Sequence, residues 1–311
     1  MANYYTGSVS SFEDLHTALV NGCVDNGWSW SDSILSKGLA FVRPYVSTTE
    51  TANTGMGLLL EVGTGSSGAA ITGGSGCIPR LGRANAGLEA VTWPAIYHLF
   101  VCSEPDEVFM VLQFNVDRHY WLAFGSSARQ QGPWVSASSY GGYYNSSYPK
   151  IVITEGAGGS YSYPGNHSGL IFWESGGTNG GNFLYRCQAV YSGIDGDWAG
   201  ASVGTNVGAI SALYGAAPLI QRSPSAWNQE SVLVPIHVYQ RRPENFWSLV
   251  LSVRHARYVR IDNYVPGQVI TLGSDQWMVF PAYRKNASVR NGGSYIDHTG
   301  TFGWAIRYLP G

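Results

Sequence analysis

Charge is what this sequence has least of. Lys, Arg, Asp and Glu make up 12% of its 311 residues, about half the share of an ordinary soluble domain. Lys37, Lys150 and Lys285 are its only lysines. A surface so poor in charge is badly solvated on its own, and burial against partners is the natural remedy. The net charge of −2 argues against nonspecific nucleic-acid binding by the whole molecule. Cysteine is scarce too: Cys23, Cys77, Cys102 and Cys187 show neither C-x-x-C nor metal-ligand spacing, so buried thiols are expected rather than a disulfide framework or a local thiolate metal site. Nowhere do 18 apolar residues run together, so no membrane-spanning helix is expected. The start, Met1 to Tyr5, has no basic or apolar leader region, and no secretory signal is expected.

Motifs that invite chemistry also fail. Gly63-Thr-Gly65-Ser-Ser-Gly68 has the G-x-G-x-x-G spacing after an apolar run. The dinucleotide fingerprint, however, needs a helix to open at the third glycine, and Ala69 to Gly76 would make a poor one. No two of the seven histidines have H-x-x-x-H spacing, and no G-x-S-x-G elbow occurs. Glu104, Asp106 and Glu107 form the densest acidic group, and in a Ser-Glu-Pro-Asp turn they read as solvated turn formers. We therefore expect no catalytic, cofactor or metal residues, and a protein that is not an enzyme.

Aromatics are what fill the space: Trp, Tyr and Phe make up 14% of the chain and outnumber the charges. Ser11 to Gly27 reads as a helix, with Ser11 and Asp14 as a capping box, Phe12, Leu15, Leu19 and Cys23 on one face, and Gly27 as its stop. Almost everything else reads as strand. Leu39–Val46 and Gly57–Val62 come first, then a small-residue loop from Gly63 to Gly76. Ala95–Cys102, Glu107–Phe114 and His119–Phe124 form a meander. A partial echo follows 138 residues later in Val232–Tyr239, Phe246–Val253 and Tyr258–Ile261, where Pro105 matches Pro243 and Tyr120 matches Tyr258. A duplicated meander would explain the echo. The expected fold is all-β, with sandwich-like sheets in two related lobes and one short N-terminal α-helix. The expected divisions are 1–125 for the helix and first meander, 126–230 for Gly/Tyr-rich loops and connecting strands, and 231–311 for the second meander and a basic turn.

Two surfaces stand out as interaction candidates. Residues 125–185 are glycine-rich, with Arg129, Lys150, Glu155 and Glu174 as their only charges. Within them Tyr140, Tyr143, Tyr144, Tyr148, Tyr161 and Tyr163 fit either adaptable contact loops or turns between the short strands of a sandwich, such as Leu170–Trp173 and Phe183–Tyr191. The second surface is the basic turn of Arg284, Lys285 and Arg290. Residues 240–311 carry nine Lys or Arg against four Asp or Glu, so a basic face of one subunit could meet an acidic face of the next.

Several phrases are also familiar. Leu15–Trp28, followed by Ile34–Gly38 and the strand to Val46, resembles the opening of structural proteins encoded among the tail genes of tailed bacteriophages. Tyr120–Gly125, Phe280–Asn286 and Gly303–Tyr308 extend the resemblance. It implies a virion protein of the tail or baseplate, assembled in the host bacterial cytoplasm. Its partners would be other copies of itself and neighbouring tail proteins, with a host surface glycan as the alternative ligand and a tail-associated hydrolase as a third reading. No active-site residue, membrane span or specific nucleic acid comes with it.

Overall fold

A computed structural model describes residues 2–48, 56–83, 90–127, 132–141, 150–151, 171–172, 186–193, 196–201, 210–212, 232–261, 263–285 and 302–309. The first third holds β1 (Ala2–Val9), α1 (Phe12–Val24), β2 (Ser29–Ser31), β3 (Ile34–Lys37), β4 (Ala40–Ser47), β5 (Met56–Gly63), β6 (Gly65–Ser67), β7 (Ala70–Thr72) and β8 (Ile78–Arg83). β9 (Ala95–Cys102), β10 (Glu107–Phe114), β11 (Arg118–Ser126), β12 (Pro133–Ala137), β13 (Ser139–Gly141), β14 (Lys150–Ile151), β15 (Arg186–Tyr191), β16 (Trp198–Ala201) and β17 (Ile210–Ala212) come next. The chain closes with β18 (Val234–Arg241), β19 (Trp247–Arg260), β20 (Val269–Leu272), β21 (Asp275–Pro281) and β22 (Phe302–Tyr308). The fold is all-β, with α1 the single α-helix among the described residues.

The helix ends where its residues dictate. The Ser11 hydroxyl accepts the Asp14 N–H at 3.1 Å, and the Asp14 carboxylate accepts the Ser10 N–H at 2.9 Å, one residue earlier than in a standard capping box. At the far end the Trp28 N–H reaches the Cys23 carbonyl and the Gly27 N–H the Val24 carbonyl, with Gly27 at φ +80°. This is a Schellman turn, and it requires the left-handed conformation that glycine adopts freely.

Thirteen strands form one sheet in the order β1-β9-β10-β11-β12-β15-β16-β17-β18-β19-β22-β21-β20. It doubles back, so its first and last parts face each other across one core. Phe100, Phe109, Trp121 and Trp134 from the first part pack with Tyr258, Phe280, Trp304 and Ile306 from the last. The Trp121 and Trp304 rings are 5.2 Å apart and tilted by 56°, the kind of contact worth about 0.5–1.5 kcal/mol beyond burial. A seven-stranded sheet, β14-β13-β8-β5-β4-β3-β2, and α1 cover the opposite face of the first part. There Leu15, Leu19, Val42, Leu58 and Leu60 meet Leu99, Val108, Met110, Leu122 and Phe124. The result is three layers, with β9 to β12 in the middle.

Three expectations need correction. The supposed loop at Gly63–Gly76 contains the β6–β7 hairpin, which turns at Gly68 (φ +57°). Phe246–Val253 and Tyr258–Ile261 are not two strands but one, β19, which pairs with β18 from Trp247 to Val253 and again at Arg257 and Tyr258, and with β22 from Ala256 to Arg260. Ile171 and Phe172, expected in a strand, form a buried turn whose Ile171 carbonyl accepts the Tyr258 hydroxyl at 2.6 Å. Cys23, Cys77 and Cys102 are buried thiols.

Candidate functional site

The surfaces singled out by sequence are only partly within the described residues. Tyr140 lies in β13, its backbone paired with Pro79 and Lys150. Tyr143, Tyr144, Tyr148, Tyr161, Tyr163 and Arg290 lie outside the described residues. Arg284 and Lys285 are tied to their own chain: Arg284 Nε sits 3.1 Å from the Asp117 carboxylate, and Lys285 Nζ donates to the Tyr264 carbonyl.

A different site emerges where the β9–β10 turn meets β19. Asp106, in that turn, forms an ion pair with Lys37 at 2.8 Å. Glu107 opens β10, opposite Cys102 on β9 and Gly125 on β11. The backbones there approach so closely that a Cβ on Gly125 would stand 2.4 Å from the Asp106 carbonyl oxygen. Glu107 is 0% exposed, so the expectation of a solvated turn carboxylate is wrong for it.

The cause lies in β19. Its pairing with β18 jumps from Pro235↔Arg257 to Ile236↔Val253, which leaves Arg254 to Ala256 as a bulge without β18 partners. Two N–H groups freed there point at Glu107. Its Oε1 accepts from Arg254 N–H at 3.0 Å and its Oε2 from His255 N–H at 2.8 Å. The carboxylate replaces the missing strand, which satisfies donors that burial would otherwise penalise. Burial nevertheless outweighs these bonds and the nearby guanidinium charges, and it pushes Glu107 up to about 8. The neighbouring Cys102 thiol is raised as well, first by burial and then by Glu107.

Above the bulge is a cavity of about 340 Å³ lined by Glu104, His237, Arg254, His255, Arg257 and Arg307, among others. Arg257 Nη1 donates to the carbonyls of Val253, Arg254 and Ala256 at 3.2, 2.8 and 2.7 Å, which caps the bulge. Its guanidinium lies 5.0 Å over the Trp277 ring. Arg307 Nη2 donates to Asp275 at 2.5 Å, while Arg307 Nε is buried without a bond. His255 is 4% exposed. Burial, and then Arg307, lower it to about 4, so its ring is neutral at pH 7. Neither ring nitrogen makes a well-formed hydrogen bond, although a backbone group of Ser103 lies close enough to favour the charged ring. Perturbed groups converging on a cleft mark a functional-site candidate. A second cavity, of about 480 Å³, lies beside α1, where His16, Trp30, Arg43 and Tyr45 line an aromatic groove.

Sequence reasoning missed this site. The signal available was Arg254-His255-Ala256-Arg257, a cationic interruption of an apolar run, which reads as a turn. Period-two counting would also have placed Glu107 on the inward face of Phe109 and Val111. Compared with known proteins, the chain matches no family model and no curated protein.

Proposed function

We propose that this chain is a structural protein of a tailed-phage virion, in the tail or baseplate. It works by adhesion between its own copies and neighbouring virion proteins, without catalysis. The virion setting rests on the resemblance of Leu15–Trp28, Tyr120–Gly125 and the closing strands to phage tail-gene products. The adhesive role rests on one observation, the outer edge of β20, which has no strand partner among the described residues.

β20 ends the thirteen-stranded sheet and pairs only with β21 among the described residues. Edge strands are normally guarded by charge, proline or a covering segment, because their unpaired N–H and C=O groups template pairing with another chain. No charged side chain stands between Asp262 and Asp275, while Val269 and Leu272 are exposed on the strand itself. An edge without charge, in a chain with so little charge, fits continuation of the sheet into a second copy, and head-to-tail repetition of such a contact closes a ring.

Sedimentation of the purified chain at micromolar concentration tests this. The expected species is a defined oligomer, and a Val269→Lys/Leu272→Lys double variant should weaken association by about a hundredfold while retaining the β-rich circular dichroism spectrum. A wild-type chain that stays monomeric, alone and with tail proteins, would overturn the reading.

A further inference from the structure

We propose that the cavity over the β19 bulge is a binding site for an oxyanion-bearing small ligand, one carrying a phosphate or a carboxylate group. The inference is independent of the assembly reading.

Three arginines, Arg254, Arg257 and Arg307, line the cavity against one carboxylate among the described lining residues, Glu104. Asp275 is already engaged by Arg307. Glu107, directly behind the bulge, keeps its proton at neutral pH and so does not cancel the cationic field. Donors are available. Arg254 has an exposed side chain and forms no ion pair among the described residues. Arg307 Nε is buried and unbonded. Guanidinium groups present N–H donors in a planar fork that suits two oxygens of one anion. Buried donors left without partners inside a cavity are costly unless a ligand or water satisfies them. The volume exceeds that of a bare ion and falls within the range of small-ligand sites, so the ligand has an organic portion that would lie along Ser252 and Pro235.

Calorimetric titration of the full chain with inorganic phosphate, and separately with glucuronate, at pH 7 and matched ionic strength tests the site. Saturable binding of phosphate alone identifies a phosphoryl ligand, and saturable binding of glucuronate alone identifies a carboxylated one. Either result, or both, supports the proposal if Arg254→Glu, a change to an exposed side chain, weakens binding by about tenfold or more. Glu104→Gln should tighten binding severalfold, because it removes the one opposing rim charge among the described residues. Absence of saturable binding of both anions below about 10 mM, or affinity unchanged by Arg254→Glu, would overturn it.

Discussion

In β10 every residue except Gln113 is buried, whereas in β18 buried residues alternate with exposed or half-exposed ones from Val234 to Gln240. Both strands belong to the same sheet and each leads a hairpin. β10 lies in the middle layer with apolar cover on both faces; β18 lies in the last layer with the shared core on one face only. In a strand covered twice a buried polar side chain is costly without a partner, and Glu107 is held there by two backbone N–H groups. On the other face of the last layer Arg254, Arg257 and Arg307 line a cavity, beside a small apolar cluster of Val259, Ile261, Trp277 and Val279. The middle layer is apolar on both faces, whereas the last layer shares one core and carries charged side chains on its other face.

The sharpest way to break that contrast is to truncate one tryptophan from each layer. Trp121 is wholly buried between the layers, whereas Trp247 is 50% exposed. Trp121→Ala should lose about 3–5 kcal/mol in urea denaturation, and Trp247→Ala less than about 1 kcal/mol. Comparable losses would mean that the two layers share the stabilising burden.

Glu107 sharpens it through pH. Its folded pKa lies near 8, above the carboxylate's value in an unfolded chain, so the folded state holds a proton that the unfolded state has released. Stability from this group is complete at low pH and falls as pH rises through 8, by roughly 1.4 kcal/mol per unit. His98, His119 and His255 act in the opposite sense: burial lowers each to about 4, so stability rises with pH until the unfolded histidines deprotonate near about 6.5. Denaturation midpoints should therefore peak close to pH 6.5 and decline toward pH 8. Glu107→Gln should flatten the decline and lower the whole curve by about 1–3 kcal/mol, since an amide NH2 cannot accept from a bulge N–H. A decline that survives the substitution would place its origin in another group.

The smallest expected effect is at the helix. Ser11→Ala removes the hydroxyl that accepts the Asp14 N–H and should cost about 1 kcal/mol in the same denaturation measurement, without altering the contrast between the layers.

What the sequence disclosed follows the same division. Ala95–Cys102 and Glu107–Phe114 have the bounds read from sequence, because doubly covered strands are continuous runs of β-formers cut off by turn residues. The helix was legible through Ser11 and Gly27. β1 was not: Asn3, Tyr4, Tyr5 and Thr6 offer little apolar patterning, because the strand closes one end of its sheet. β19 was misread because its bulge places Arg254 and His255 amid an apolar run, which imitates a turn. The candidate site was invisible, since Glu107 and the N–H groups it accepts lie about 150 residues apart and no local pattern encodes such a meeting.

The order in which the layers are written into the chain has a consequence at the ribosome. The middle strands are complete by Ala137, but the cover for their inner face is complete only when Tyr308 has been made. At ordinary synthesis rates that interval is on the order of ten seconds. Throughout it Phe100 waits for Phe280, and Phe109 and Trp121 wait for Trp304, so the nascent chain presents an aromatic face that a chaperone or a temporary collapse must shield.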